Sequence, residues 1–256
     1  MNRKRTLISD TFMVKRRNTG TDKQFGTHEN GEFSTNREGP LDVRAALEYL
    51  MTLFPRKLFN DTLPPLVMKH QLYSLHGDKT QNALRERGEL LMFQLGFDAE
   101  AFGLIFTADY RAKVLAGETG RETLPTVEKF LDTVLPNCSE LSFDKDKMHT
   151  KFQFTDTEIT QLVKSGVLTV RDAGSWWLSI PNSGRFTKLF IQGRRAVLAM
   201  VKKSKYSEVL RSDLESRRTT TQVKFHIKYH VHDIIGAELV ECISTSSGTL
   251  LRLTET

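Results

Sequence analysis

The sequence predicts an α+β fold, mainly helical, in which helices leading into a two-stranded hairpin recur three times along the chain. Two observations carry this expectation. Apolar residues at helical spacing alternate with short apolar runs closed by turns that contain Gly or Asp. In addition, ERGELLMFQLG at 86–96 resembles KSGVLTVRDAG at 164–174, each joining a charged helix end and a glycine cap to a strand. With 256 residues, 39% of them hydrophobic, the chain can bury a sizeable core and divide it among small units.

Residues 1–39 are polar, with scattered glycines and no sustained periodicity, and read as a disordered tail. Within it, Lys15, Arg16 and Arg17 form a candidate nuclear-import cluster. Pro40 opens the first helix, on which Val43, Leu47, Leu50, Met51 and Phe54 follow at helical spacing until Pro55. Pro64 and Pro65 open a short second helix carrying Val67, Leu72 and Tyr73, and a third ends at Gly88. Strand-like runs follow at Leu90 to Gln94 and Gly103 to Thr107.

The second round has the same order. Val127, Phe130, Leu131, Val134 and Leu135 make one apolar stripe, and Thr155 with Glu158 has capping-box spacing ahead of Ile159, Leu162 and Val163. Gly166 ends that helix, and strands at Val167 to Val170 and Trp176 to Ile180 form the hairpin. In the third round a helix carries Val231, Ile234, Ile235 and Leu239, and Cys242 to Thr245 and Thr249 to Leu253 form the last hairpin. Helices followed by a hairpin are the pattern of a winged helix; a generic α+β protein with three hairpins is the alternative. The expected organisation is a tail at 1–39 and winged helices at 40–117, 118–206 and 207–256, packed into one compact body.

Charge is concentrated rather than spread. Arg185 to Lys228 holds twelve cations against three carboxylates, a local net charge of +9 in a chain of net +6. Such a field suits a phosphate backbone or an anionic surface. On a helix, Lys188, Arg195 and Lys202 fall in one stripe because they are seven residues apart, with Phe190, Val197, Met200 and Val201 opposite and Gly193 among them. The candidate DNA-binding residues are Lys188, Arg194, Arg195, Lys202, Lys203, Lys205, Arg217 and Arg218.

Enzyme chemistry has no visible apparatus. There is no phosphate loop, no glycine-rich loop with the lysine and aspartate motifs of protein kinases, no Gly-x-Ser-x-Gly elbow and no HExxH helix. His230 and His232 lack further ligands at metal-site spacing, so no metal or cofactor is expected and both histidines are assigned structural or surface roles. The two cysteines are too few for a disulfide framework, and no apolar run is long enough to span a membrane.

The stretches GVLTVRDAGSWWLSIPNSGRF, YHVHDIIGAELVECISTSSGTLLRL and LFPRKLF closely resemble the serine/threonine-protein kinase 19 family, over essentially all of 41–256. The resemblance implies a compact array of three winged helices, nuclear and chromatin-associated, that binds double-stranded DNA and also RNA. It further implies a role in transcription-coupled nucleotide excision repair, bridging stalled RNA polymerase II and the Cockayne-syndrome A ubiquitin-ligase subunit to the TFIIH helicase. A monomer is expected, with dimerisation on DNA left open. The rival readings are an active protein kinase and a protein-interaction scaffold with no specific DNA role. The family's DNA-binding cations fall on Lys188, Lys202 and Arg217, where Lys202 replaces an arginine and loses a bidentate fork but retains a phosphate contact. Between Thr80 and Leu84 the chain is a few residues shorter than the family pattern, in the third helix of the first winged helix. That weakens the case for groove reading by this unit and favours a docking role.

Overall fold

The computed structural model describes residues 40–75, 81–137, 140–218 and 220–254, all within one unit that runs from Asn36 to Thr256. The expected tail, with Lys15, Arg16 and Arg17, lies outside the described residues, as do Thr80 of the shortened stretch and Cys138. The chain folds as α+β. It begins with α1 (Pro40–Thr52), β1 (Val67–Met68), α2 (Lys69–Tyr73), α3 (Gln81–Glu86), β2 (Leu90–Gln94) and β3 (Phe102–Phe106). A connecting helix, α4 (Thr107–Glu118), leads to α5 (Leu124–Thr133), β4 (Ser142–Asp144), α6 (Lys145–Thr150), α7 (Asp156–Ser165), β5 (Leu168–Asp172) and β6 (Ser175–Leu178). The last set is α8 (Ser183–Lys202), β7 (Glu208–Leu210), α9 (Arg211–Ser216), α10 (Ile227–Gly236), β8 (Val240–Thr245) and β9 (Gly248–Leu253).

Helix, strand, two helices and a hairpin thus occur three times, and each set forms a three-stranded antiparallel sheet with the same strand order: β1-β3-β2, β4-β6-β5 and β7-β9-β8. Local chemistry sets several boundaries. Thr155 Oγ1 accepts from the Glu158 amide at 3.2 Å while Glu158 Oε2 accepts from the Thr155 amide at 2.7 Å, closing the capping box that starts α7. Gly166, at φ 78°, lets α7 end in the left-handed conformation.

One expectation is corrected. Val67 does not lie on a helix: it pairs with Leu104, and Met68 with Gly103, as an edge strand. Pro65 disfavours helical backbone in the residue before it and has no amide to donate, so the chain stays extended until α2 begins at Lys69. The long helix α8 serves two cores. Phe186 and Phe190 of α8 lie in a central core with Phe54, Phe59 and Phe225. Val197 and Val201, farther along the same helix face, pack with Leu214, Ile227, Val231 and Leu251 in a separate core. A helix of 20 residues is about 30 Å long, enough to serve both. A third cluster, built on Val43, Leu47, Leu50, Leu84 and Leu104, underlies the first sheet.

The first and third sets are joined through α10. A Cβ at Gly193 of α8 would sit 2.1 Å from His230 Nε2, and one at Gly236 would sit 1.6 Å from the His70 carbonyl oxygen. These glycines let α8 and α2 approach α10 closely. Across the junction Tyr229 donates to the Leu66 carbonyl at 2.7 Å, and Gln71 Nε2 donates to the Tyr229 carbonyl at 2.7 Å.

Candidate nucleic-acid interface

The apolar residues Phe186, Phe190, Gly193, Val197 and Val201 fix which way α8 faces, since all five are buried. The opposite stripe, Arg185, Lys188, Gln192, Arg195, Ala199 and Lys202, is exposed. No acidic residue occurs anywhere on α8. Seven residues of helix advance about 10.5 Å, so Lys188, Arg195 and Lys202 stand in a row roughly 21 Å long. Lys188, Gln192, Arg195 and Ala199 also line a shallow groove whose far wall is Gln222, from the segment between α9 and α10.

At the C-terminal end of α8 the last carbonyls carry partial negative charge, which favours the cations gathered there. Lys202, Lys203 and Lys205 are all exposed. Arg217, just past α9, donates to the Met200 carbonyl and to Ser204 Oγ, both at 3.3 Å, and so anchors itself to this helix end. Arg218 beside it is exposed. Among the described residues no acidic side chain forms an ion pair with Lys188, Arg195, Lys202, Lys203 or Arg218. Tyr206, which the sequence reading did not single out, is 78% exposed in the same patch. A single aromatic inside KKSKYS was the only signal for it.

Arg194 is a correction. Expected on the DNA-binding face, it turns inward, and its side chain is only 17% exposed. Its Nε donates to Asp233 Oδ2 at 2.8 Å and a terminal nitrogen donates to Oδ1 at 2.6 Å. Asp233 lies on α10 with no exposure at all, and His70 Nε2 of α2 is 2.5 Å from its Oδ1. A buried carboxylate requires charged or hydrogen-bonding partners, and Arg194 is held to that task. Burial alone would raise the Asp233 carboxyl; the surrounding His230, His70 and Arg194 outweigh it and hold the group well below the usual carboxylate range. Of the other cations in the basic segment, Arg211 and Lys228 pair with Glu215 at 2.7 and 3.9 Å.

His230 and His232 are both buried and structural. His230 packs against Gly193, Phe190 and Phe225, and His232 Nδ1 lies 2.8 Å from Ser74 Oγ. No group of three or more His, Cys, Asp or Glu among the described residues could hold a metal ion. Burial, with Arg211 and Lys228 nearby, pushes the His232 imidazole down to about 3. Because the folded protein binds this proton more weakly than the unfolded chain does, stability falls as pH drops from about 6.5 toward 3, by up to about 1.4 kcal/mol per pH unit. Urea unfolding between pH 6.5 and 4.5 checks this: the slope should be shallower in His232→Gln, and an equal slope in both proteins would contradict it.

Two helices that could have entered a groove are unsuited to it. Seven residues of α10 are buried, and the first turn of α7 carries Asp156 and Glu158. Most exposed cations of the basic segment that make no ion pair among the described residues therefore gather on α8, on the segment that follows it and at the end of α9.

No helix among the described residues is long and apolar enough to cross a membrane. The family described as inactive serine-threonine protein kinase 19 matches residues 40–253. Human winged helix repair factor 1 is 53% identical over 255 residues, covering 98% of this chain and 97% of its own. The mouse protein of the same name is 49% identical and the Xenopus laevis protein 45%, each covering 100% of both chains. The description of that family as inactive is consistent with the expectation that the chain is not an enzyme. This chain belongs to the inactive serine-threonine protein kinase 19 family.

Proposed function

We propose that the protein is a nuclear repair factor built from three winged helices, which holds double-stranded DNA by its phosphates through the exposed face of α8. The three sets of elements, each with the same strand order, support the winged-helix reading, and the name of the relatives supports the role in repair. The observation that carries the DNA assignment is the row of exposed cations Lys188, Arg195 and Lys202 on a helix without a single carboxylate. Lys203, Lys205, Arg217 and Arg218 extend it at one end. Contacts of this kind position a protein on a duplex without reading its sequence. The burial of α10, the third helix of its unit, agrees with that mode.

The finer proposal is that this grip tethers a repair assembly to its template in transcription-coupled nucleotide excision repair. The protein would stand on chromatin between stalled RNA polymerase II with the Cockayne-syndrome A subunit and the helicase of TFIIH, and RNA would occupy the same cationic surface. The first unit, with its short α3, would then offer a protein-docking face.

Anisotropy of a labelled duplex across a salt series tests the DNA assignment. Each phosphate contact contributes about 0.9 to the slope of log affinity against log salt. Lys188→Ala/Arg195→Ala/Lys202→Ala should therefore lower the slope by nearly three, and at about 0.1 M salt it should weaken binding several hundred-fold. An unaltered slope, with the melting temperature intact, would move the DNA contact elsewhere and leave α8 as a surface for acidic protein partners.

A further inference from the structure

Tyr206 is 78% exposed, more than any other large hydrophobic side chain among the described residues. Its backbone lies at φ 59°, ψ 19°, and Ser207 follows at φ 54°. Two successive left-handed residues are uncommon, and a bulky side chain in the first of them is a conformation that glycine or asparagine would adopt with far less strain. The ring has Lys205 Nζ 4.9 Å from its centre and otherwise lies open to solvent. Backbone strain that persists around an exposed group points to a use outside the folded chain.

The surroundings indicate that use. Lys202, Lys203 and Lys205 precede the ring in sequence, and Arg217 is hydrogen-bonded to Ser204, two residues from it. Cations in this arrangement hold phosphates but make no stacking contact with bases. In a duplex both faces of an internal base are covered by its neighbours, so an exposed tyrosine gains nothing there. An unpaired base has a free face, and stacking on an aromatic ring is the usual way proteins hold one beside a cationic track.

We propose that Tyr206 is a stacking platform for an unpaired DNA base whose flanking phosphates are held by Lys202, Lys203 and Arg217. This rests on the phosphate-binding reading of the same surface, but the two fail separately. The test uses the full chain and two labelled probes: a duplex, and the same duplex with a short unpaired bubble carrying 2-aminopurine. Tyr206→Asn removes the ring while keeping a residue that tolerates the left-handed backbone; Tyr206→Trp keeps a ring.

The expected result is that Tyr206→Asn weakens bubble binding by at least about five-fold and abolishes the change in 2-aminopurine fluorescence on binding. Its duplex affinity and its salt slope should match those of the parent protein, and Tyr206→Trp should bind the bubble as well as the parent does. Bubble affinity in Tyr206→Asn within two-fold of the parent would overturn the proposal. An equal loss on duplex and bubble would overturn it too, since the ring would then act on something other than an unpaired base. The phosphate reading has its own readout, the salt slope of the lysine and arginine variant, which the ring does not influence.

Discussion

Gly236→Ala is expected to destabilise the protein by more than about 3 kcal/mol, lowering the melting temperature by roughly 6–12 °C or more. An alanine in place of glycine within a helix normally stabilises by up to about 1 kcal/mol. Here the new methyl would sit 1.6 Å from the carbonyl oxygen of His70, a backbone atom that cannot rotate away. Relief requires α2 and α10 to separate, and that would stretch the Gln71 and Tyr229 hydrogen bonds along with the His70 contact to Asp233. Gly117, near the end of α4, is the matched control because a Cβ there meets nothing within 4 Å. Gly117→Ala should leave stability unchanged or raise it slightly. Thermal melts of the two variants give the answer, and similar values for both would contradict the close approach of α10 to α2.

The second large effect concerns Asp233. Its carboxylate is fully buried and answers Arg194 and His70 together. Removing one partner of such a group leaves the other charge buried without compensation, a loss of about 3–5 kcal/mol. Asp233→Ala should therefore unfold at clearly lower urea than the parent. Replacing the pair with apolar groups, as in Arg194→Met/Asp233→Leu, removes both charges and should recover most of that stability. Near-additivity of Arg194→Met and Asp233→Leu, each also measured alone, would show that Arg194 and Asp233 do not depend on each other. Neither single loss should alter the salt slope of DNA binding, because Arg194 faces the interior.

Much of the architecture was legible because its signals are local. The capping box at Thr155, the glycine stop at Gly166 and the two-faced periodicity of α8 each operate within a few residues, and each element forms where its signal lies. The short strands β1, β4 and β7 were not legible. They are two or three residues long, too short to show alternation, and they form because a partner strand lies far along the chain, as Val67 finds Leu104 and Val209 finds Leu251. The double service of α8 was hidden for a related reason: its periodicity shows that one face is buried, but not that the two halves of that face belong to different cores.

The same limit divided the candidate site. Arg194 and Arg195 are neighbours of equal charge, about 100° apart around the helix. The charge count treats them alike, yet one faces solvent and the other meets a carboxylate 39 residues later. Tyr206 was missed because exposure and backbone strain leave no mark on composition.

The junction of α2 with α10 also sets an order of events while the chain is being made. His70 meets Asp233 across 163 residues, and Gln71 and Ser74 find Tyr229 and His232 across 158 each. At about 5–20 residues per second, the earliest helices wait roughly 10–30 s on the ribosome before these partners are synthesised. The first set of elements is thus translated before the third and completed only after it. Chains cut short by a premature stop before residue 227 would carry their defect at the opposite end, as an uncovered α2 surface open to chaperones and proteases.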